Sequence, residues 1–330
     1  MPNLVTRYLG LQLDNPVVAS ASPLTFTLKG VRELQEAGVG AIVMRSIFEE
    51  QIRADVSDMY DALEADMSPH AMAYLNADLP MQLGPERYLD RVRAIRKEVR
   101  VPLIASVNCI HPAQWVSFAR KIQATGVDAI ELNVYDIPDD PFEPGSAIED
   151  RHAALVESVL KQVSIPVAVK ISPYYSSLLQ FAKRLDKLGV AGLVLFNRFF
   201  QPDIDIEKLT LRNTPNLSRP ESVRLPMRWI AILRHVVGCS LALTGGVHTS
   251  DGAVRAILAG ADVACVTSAI LMRAGAKPVT EILEGLQAWM GEHGYSDIGQ
   301  WRGLLAERNL KDKRGFERAH YVRLLSEQHL

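Results

Sequence analysis

The sequence predicts an α/β protein, a TIM-type (β/α)8 barrel over residues 1–292 with a C-terminal helical extension over 293–330. Three observations lead there. Short, nearly continuous runs of Val, Ile, Ala and Leu alternate with helical patterns in eight units between Val17 and Val266, as in a parallel sheet buried on both faces. Polar and glycine residues collect just after those runs, where α/β barrels carry their chemistry. The 330-residue length suits one such barrel with an extension.

The clearest pattern is residues 241–271, LALTGGVHTSDGAVRAILAGADVACVTSAIL. A strand ends at Thr244-Gly245-Gly246. A helix follows, with Ser250 and Asp251 as N-cap candidates and Gly260 as its stop. The next strand, Val263 to Val266, ends at Thr267-Ser268. Bare glycines expose backbone N–H groups, and a helix N-terminus favours negative charge, so the pattern suits a phosphate. The alternative is an ordinary pair of βα turns that need Gly. His248 is either a phosphate contact or loop filler.

The remaining units read in order. Val17 to Ser20 form the first strand, residues 29–37 a helix, and 41–44 the second strand, with Arg45-Ser46 at its end. Residues 48–78 show no clean period and suit a lid, a binding loop or a surface insertion. A helix at 84–99 and a strand at 101–107 restore the pattern, and Asn108 follows that strand. A helix at 113–124, a strand at 128–134 and a polar loop at 135–145 follow. Then come a helix at 153–163, a strand at 166–171 carrying Lys170, a helix at 178–188 and a strand at 192–196. Residues 199–224 are irregular and precede a helix at 227–237. After the eighth strand, helices are expected at 279–290 and 298–306, then a charged tail with Arg314, Arg318 and Arg323.

Composition narrows the function classes. Hydrophobic residues make up 48% and charged residues 22%, an ordinary globular balance, and the net charge of −2 argues against a nucleic-acid partner. No apolar run approaches the ~20 residues of a membrane helix, and the first residues lack the form of a signal peptide. Three Cys without a CxxC pair fit a reducing compartment, so a cytoplasmic protein is expected. Cys109, Cys239 and Cys265 read as small core residues. The eight His form no metal-ligand spacing, and Asp203-Ile204-Asp205 could bind a cation but reads better as a loop or strand edge.

The strand ends collect Ser20, Ser22, Arg45, Asn108, Asn133, Asp136, Lys170, Asn197, Gly245, Gly246 and Ser268 on one barrel face. Three asparagines suit a planar polar heterocycle. Lys170, inside VAVKIS, needs a partner: a phosphate or cofactor anion, a Schiff-base carbonyl or a structural carboxylate.

Together NPVVASAS, ELNVYD, VKISPYY, FNR and TGGVHTSDGA are recognisable: from about Asn15 to Met290 the chain resembles the flavin-dependent dihydroorotate dehydrogenases, nearest to class 1 and its uncharacterised relatives. The resemblance implies an FMN barrel that oxidises dihydroorotate or a related CH–CH substrate. It places the flavin-contacting lysine at Lys170, where a cation stabilises the anionic reduced flavin. Substrate asparagines fall on Asn76, Asn133 and Asn197. Cofactor contacts fall on Ser20, Ser22, Arg45, Asn108, Lys170, Ser218, Gly245, Gly246 and Ser268. The resemblance also implies a homodimer and an electron-transfer subunit or soluble acceptor.

Three departures stand out. Arg45 replaces a lysine, Asp136 occupies the position of the proton-abstracting Cys, and Leu217-Ser218-Arg219-Pro220-Glu221 replaces a Gly-rich turn. Asp136 is then either a base, its pKa raised towards neutrality by desolvation, or a solvated loop residue. Other functions compatible with the pattern are a barrel lyase using Lys170 as a Schiff base and a non-catalytic binding module.

Overall fold

The computed structural model describes residues 2–48, 84–108, 112–199, 201–212, 217–313, 316 and 326. Asn76, the irregular stretch 49–78, Cys109 and the tail arginines Arg314, Arg318 and Arg323 lie outside the described residues.

The chain opens with a hairpin, β1 (Thr6–Tyr8) and β2 (Leu11–Leu13), that the sequence reading did not anticipate. Leu9 and Gly10 both take positive φ, as a two-residue turn with the twist of its strands requires. Eight parallel strands follow: β3 (Val17–Ala19), β4 (Ala41–Val43), β6 (Leu103–Asn108), β7 (Ala129–Asn133), β8 (Val167–Ile171), β9 (Gly192–Leu195), β12 (Ser240–Thr244) and β13 (Val263–Val266). Pairing of β13 with β3, β3 with β4 and β4 with β6 closes the ring into the expected barrel. A short continuation of the second barrel strand, β5 (Ile47–Phe48), pairs with the end of β6.

Helices ring the barrel: α1 (Leu28–Glu36), α2 (Pro85–Glu98), α3 (Pro112–Gln123), α4 (Gly145–Leu160), α5 (Leu178–Leu188), α6 (Arg224–Leu233), α7 (Ser250–Ala259), α8 (Ser268–Met272) and α9 (Lys277–Glu292). Their apolar stripes meet the outward residues of the strands in one core. A smaller cluster fills the barrel, where Val18, Ala41, Ile104, Ala129, Ala168 and Ala242 meet Tyr8, Leu9 and Leu13 of the hairpin. The hairpin thus plugs one end. Gly192 permits this closeness, because a Cβ there would stand 2.5 Å from Leu9 Cδ2.

Three expectations change. The helix expected from residue 153 begins at Gly145, because the polar stretch 145–151 forms its first two turns instead of a loop. The helix expected at 227–237 runs Arg224–Leu233, with Pro226 in its first turn, where it breaks no helical hydrogen bond. Residues 298–306 form a 3-10 turn, Ile298–Gln300, and further turns, because Gly303 takes φ +73. Asp203-Ile204-Asp205 is a strand, in line with the strand-edge reading: β10 (Asp203–Asp205), paired with β11 (Thr210–Arg212) in an exposed hairpin. No metal-binding group of His, Cys, Asp or Glu occurs among the described residues.

The segment after α9 is tied back to the barrel. Trp301 is fully buried, and Gly303 and Leu305 donate to the carbonyls of Ile257 and Leu258 in α7. Asp262, just before β13, accepts from Arg302 at 2.8 Å and from Arg234 at 3.2 Å. Among the described residues no helix is long and apolar enough to cross a membrane.

Candidate active site at the barrel mouth

Strand alternation selects the residues facing the barrel lumen. Ile104, Ala129 and Ala168 belong to the interior cluster, so Ser106 and Asn108, Glu131 and Asn133, and Lys170 share that inward face. Asn108 pairs with Asn133, and Asn133 with Lys170, across β6, β7 and β8. The three therefore form one transverse row at the C-terminal mouth, on strands about 4.8 Å apart. Asn197, after β9, joins them by donating its side-chain amide to Asn133 Oδ1.

This row holds unused polar capacity. Asn108 is 3% exposed, and its Nδ2 is buried without a hydrogen-bond partner among the described residues. Such an orphan costs about 1–3 kcal/mol unless a ligand supplies the acceptor. No hydrogen bond or ion pair within 4 Å engages Lys170 Nζ among the described residues. Below the row, Ser46 Oγ contacts Ser106 Oγ at 2.7 Å, and Ser106 Oγ donates to Glu131 Oε1 at 3.2 Å. Glu131, 2% exposed, was not singled out from the sequence, although a lone carboxylate in AIELN carries the same signal as the lysine in VAVKI. Burial pushes the neighbouring Cys265 thiol up to about 12, and Cys265 is a core residue as expected.

A second polar cluster lies around Ser218. Ser218 Oγ accepts from Gly246 N at 3.1 Å, donates to Ser268 Oγ at 2.9 Å and lies 3.3 Å from His248 Nε2. Ser218 N also donates to Ser268 Oγ at 2.9 Å. Gly245 and Gly246 have φ of +97 and +81, which L side chains disfavour. Gly246 has no room for a Cβ, which would meet Val223 N at 2.2 Å. At Gly245 the same position faces open space, with no heavy atom within 4 Å. Bare backbone beside two serine hydroxyls has the donor chemistry that suits a phosphate group.

The other sequence candidates flank the mouth. Ser20 is buried after β3 and donates its N–H to Val266 O at 3.0 Å. Ser22 is committed to its own turn, where its N–H donates to Thr25 Oγ1 and its carbonyl accepts from that hydroxyl. Arg45 is half-buried between β4 and β5.

Asp136 behaves differently from its expectation. Its Oδ2 accepts from Arg151 Nη2 at 2.7 Å and lies 3.0 Å from His152 Nε2, both on α4. Burial works to raise its pKa, but hydrogen bonds from Arg151 and His152 and the charge of Arg151 outweigh it and hold the carboxyl below its usual range. The pKa rise expected for a desolvated base is therefore overturned, since a cation from the neighbouring helix reaches the loop. His152, 4% exposed, is depressed by burial, against the opposing pull of Asp136. A neutral ring that donates from Nε2 leaves Nδ1 to accept from Tyr175 Oη, 3.1 Å away. Arg151 also pairs with Glu143. Asp136, His152, Tyr174, Tyr175 and Phe199 line a pocket of about 370 Å³ on the rim. Sequence spacing hid Arg151 and His152, which meet Asp136 only because α4 starts earlier than its apolar period suggests.

Comparison with known proteins supplies the chemical context. A family model described as dihydroorotate dehydrogenase matches residues 3–290. The chain is similar to the catalytic subunit of dihydroorotate dehydrogenase B (NAD(+)) from Thermoplasma acidophilum, 25% identical over 92% of this chain and 99% of that protein. The corresponding subunit from Methanosarcina mazei is 28% identical over 92% of this chain and 96% of its own. Dihydroorotate dehydrogenase A (fumarate) from Lactobacillus delbrueckii subsp. bulgaricus is 25% identical over 92% and 98%. With the family model spanning the whole barrel, the chain belongs to the dihydroorotate dehydrogenase family, FMN-dependent oxidoreductases that act on CH–CH groups.

Proposed function

We propose that the chain oxidises the CH–CH bond of dihydroorotate, or of a closely related ring, at the row Asn108, Asn133 and Lys170, with FMN phosphate held by Ser218, Gly245, Gly246 and Ser268. The observation that carries this reading is Asn108, whose buried Nδ2 lacks an acceptor in the row that faces the mouth. The residues fit FMN: the open position over Gly245 admits a phosphate oxygen, and the asparagine row offers donors and acceptors to a planar heterocycle. FMN, when bound, supplies the hydride acceptor.

The protein's own residues do the rest. Asn133 and Asn197, tied to each other, orient ring amides and carboxylate, with Asn76 as a further substrate contact and Ser20, Ser22 and Arg45 as cofactor contacts. Lys170 places a positive charge where negative charge develops. Asp136, ionised at neutral pH, stands where the family's proton acceptor stands and takes the proton from the ring carbon. A second reading has its own observation: Oδ2 of Asp136 is engaged by α4, which favours a loop anchor over a base. Membership in a flavoprotein family sets aside the Schiff-base lyase reading of Lys170.

The electrons pass on to an electron-transfer subunit or a soluble acceptor. A homodimer is supported by the exposed hairpin β10–β11, where Ile204 pairs directly with Leu211, both 64–67% exposed. Extraction of the purified protein and mass spectrometry test the cofactor, and anaerobic bleaching of the flavin by dihydroorotate tests the substrate. No flavin after reconstitution refutes the FMN assignment. A bound flavin that dihydroorotate does not reduce refutes the substrate.

A further inference from the structure

We propose that His248 is a titrating ligand of the phosphate cradle, so that a phosphomonoester binds there with uptake of a proton. This rests on the flavin reading above and adds to it a charge that the cradle gains only on binding.

The hydrogen-bond accounting around Ser218 assigns the donors. A hydroxyl has one hydrogen and two lone pairs. Ser218 Oγ gives its hydrogen to Ser268 Oγ, so it accepts from Gly246 N and, at 3.3 Å, from His248 Nε2–H. Ser268 Oγ already accepts twice, from Ser218 N and Ser218 Oγ, which leaves its own hydrogen unspent. Ser218 and Ser268 are 3% and 8% exposed, so water satisfies this surplus poorly. The cluster is rich in donors and short of acceptors, and an anionic oxygen corrects that.

His248 stands at this surplus. Glu221, from the turn before α6, acts on the charge of the ring; Arg219 belongs to the same turn, Asp251 to the first turn of α7, and Arg198 donates to Leu217 O, next to Ser218, at 3.3 Å. Burial lowers the imidazole pKa, and the Ser218 backbone and Glu221 counter only part of that, so the ring is neutral at pH 7 before a phosphate arrives. A dianion beside the ring favours its charged form and raises that pKa. A pKa raised on binding means proton uptake, with affinity increasing as pH falls through the bound-state pKa. The phosphate's own second ionisation, near pH 6, acts in the opposite direction. The His248 contribution is therefore a difference between proteins.

The test uses the full-length chain stripped of flavin and titrated with FMN or riboflavin between pH 6 and 8, with quenching of flavin fluorescence as the readout. Relative to His248→Gln, the unsubstituted protein is expected to gain at least about fivefold in FMN affinity from pH 8 to pH 6. Riboflavin, lacking the phosphate, is expected to show no such gain. Calorimetry of the unsubstituted protein in buffers of different ionisation enthalpy is expected to show net proton uptake with FMN. Identical pH profiles for FMN in the two proteins, or no proton uptake, would overturn the role of His248 and leave the phosphate cradle standing. Equal affinity for FMN and riboflavin at every pH would instead overturn the cradle itself.

Discussion

Asp136 Oδ2 lies 2.7 Å from the Arg151 guanidinium, so the loop after β7 is joined by an ion pair to helix α4. Asp136 has 11% of its side chain exposed and Arg151 30%, so solvent screens the pair only in part. Removing the cation by Arg151→Met is expected to destabilise the fold by about 1–2 kcal/mol. The carboxyl's folded-state pKa is depressed, so its contribution is complete above the ordinary carboxylate pKa and lost as pH falls through the folded value. Urea unfolding at pH 7 and pH 3 measures this: the difference between parent and variant should shrink at the lower pH.

Asp136→Asn separates the base from the loop anchor. The change is nearly isosteric but removes the proton-accepting oxygen. Single-turnover reduction of the flavin is expected to slow by about 100-fold or more if Asp136 is the base. An unchanged rate and pH profile assign it to loop positioning.

His152 is expected to be neutral at pH 7 and to take up a proton only at lower pH than an ordinary imidazole, with the hydrogen on Nε2 facing Asp136. Nitrogen-15 NMR of the ring reads both features. Because its folded pKa is depressed, the unfolded chain takes the proton first, and stability falls as pH drops below about 6.5. His152→Gln should remove that part of the acid sensitivity.

Lys170→Met is expected to weaken flavin binding and to slow flavin reduction by about 100-fold, on the scale of removing one preorganised electrostatic contact. Flavin retention during gel filtration and stopped-flow bleaching check the two effects. Normal values for both would make Lys170 structural.

The two glycines of the cradle should respond differently. Gly246→Ala drives a methyl group onto Val223 N and is expected to expel the flavin and displace the turn Pro220–Val223. Gly245→Ala meets no atom and carries only the strain of its positive φ, about 1 kcal/mol. Flavin content per chain distinguishes them. At the other end of the barrel, Gly192→Val pushes against Leu9 and should cost about 1–3 kcal/mol in urea unfolding, with flavin content unchanged.

Periodicity alone determined the barrel. Each strand is a short apolar run and each helix an apolar stripe, and these are local patterns that every chain segment carries for itself. The same local logic placed Asn108, Asn133, Lys170, Gly245 and Gly246 at strand ends, because a parallel barrel sends all those ends to one mouth. Contacts between distant segments were not legible. Leu9 plugs the barrel beside Gly192, Ser218 joins Ser268 across 50 residues, and Arg151 turns the pKa of Asp136 downward instead of upward. Those outcomes depend on distances of a few ångströms between side chains from different elements. Burial and charge at that range decide protonation and hydrogen bonding, and only the packed tertiary structure sets that range.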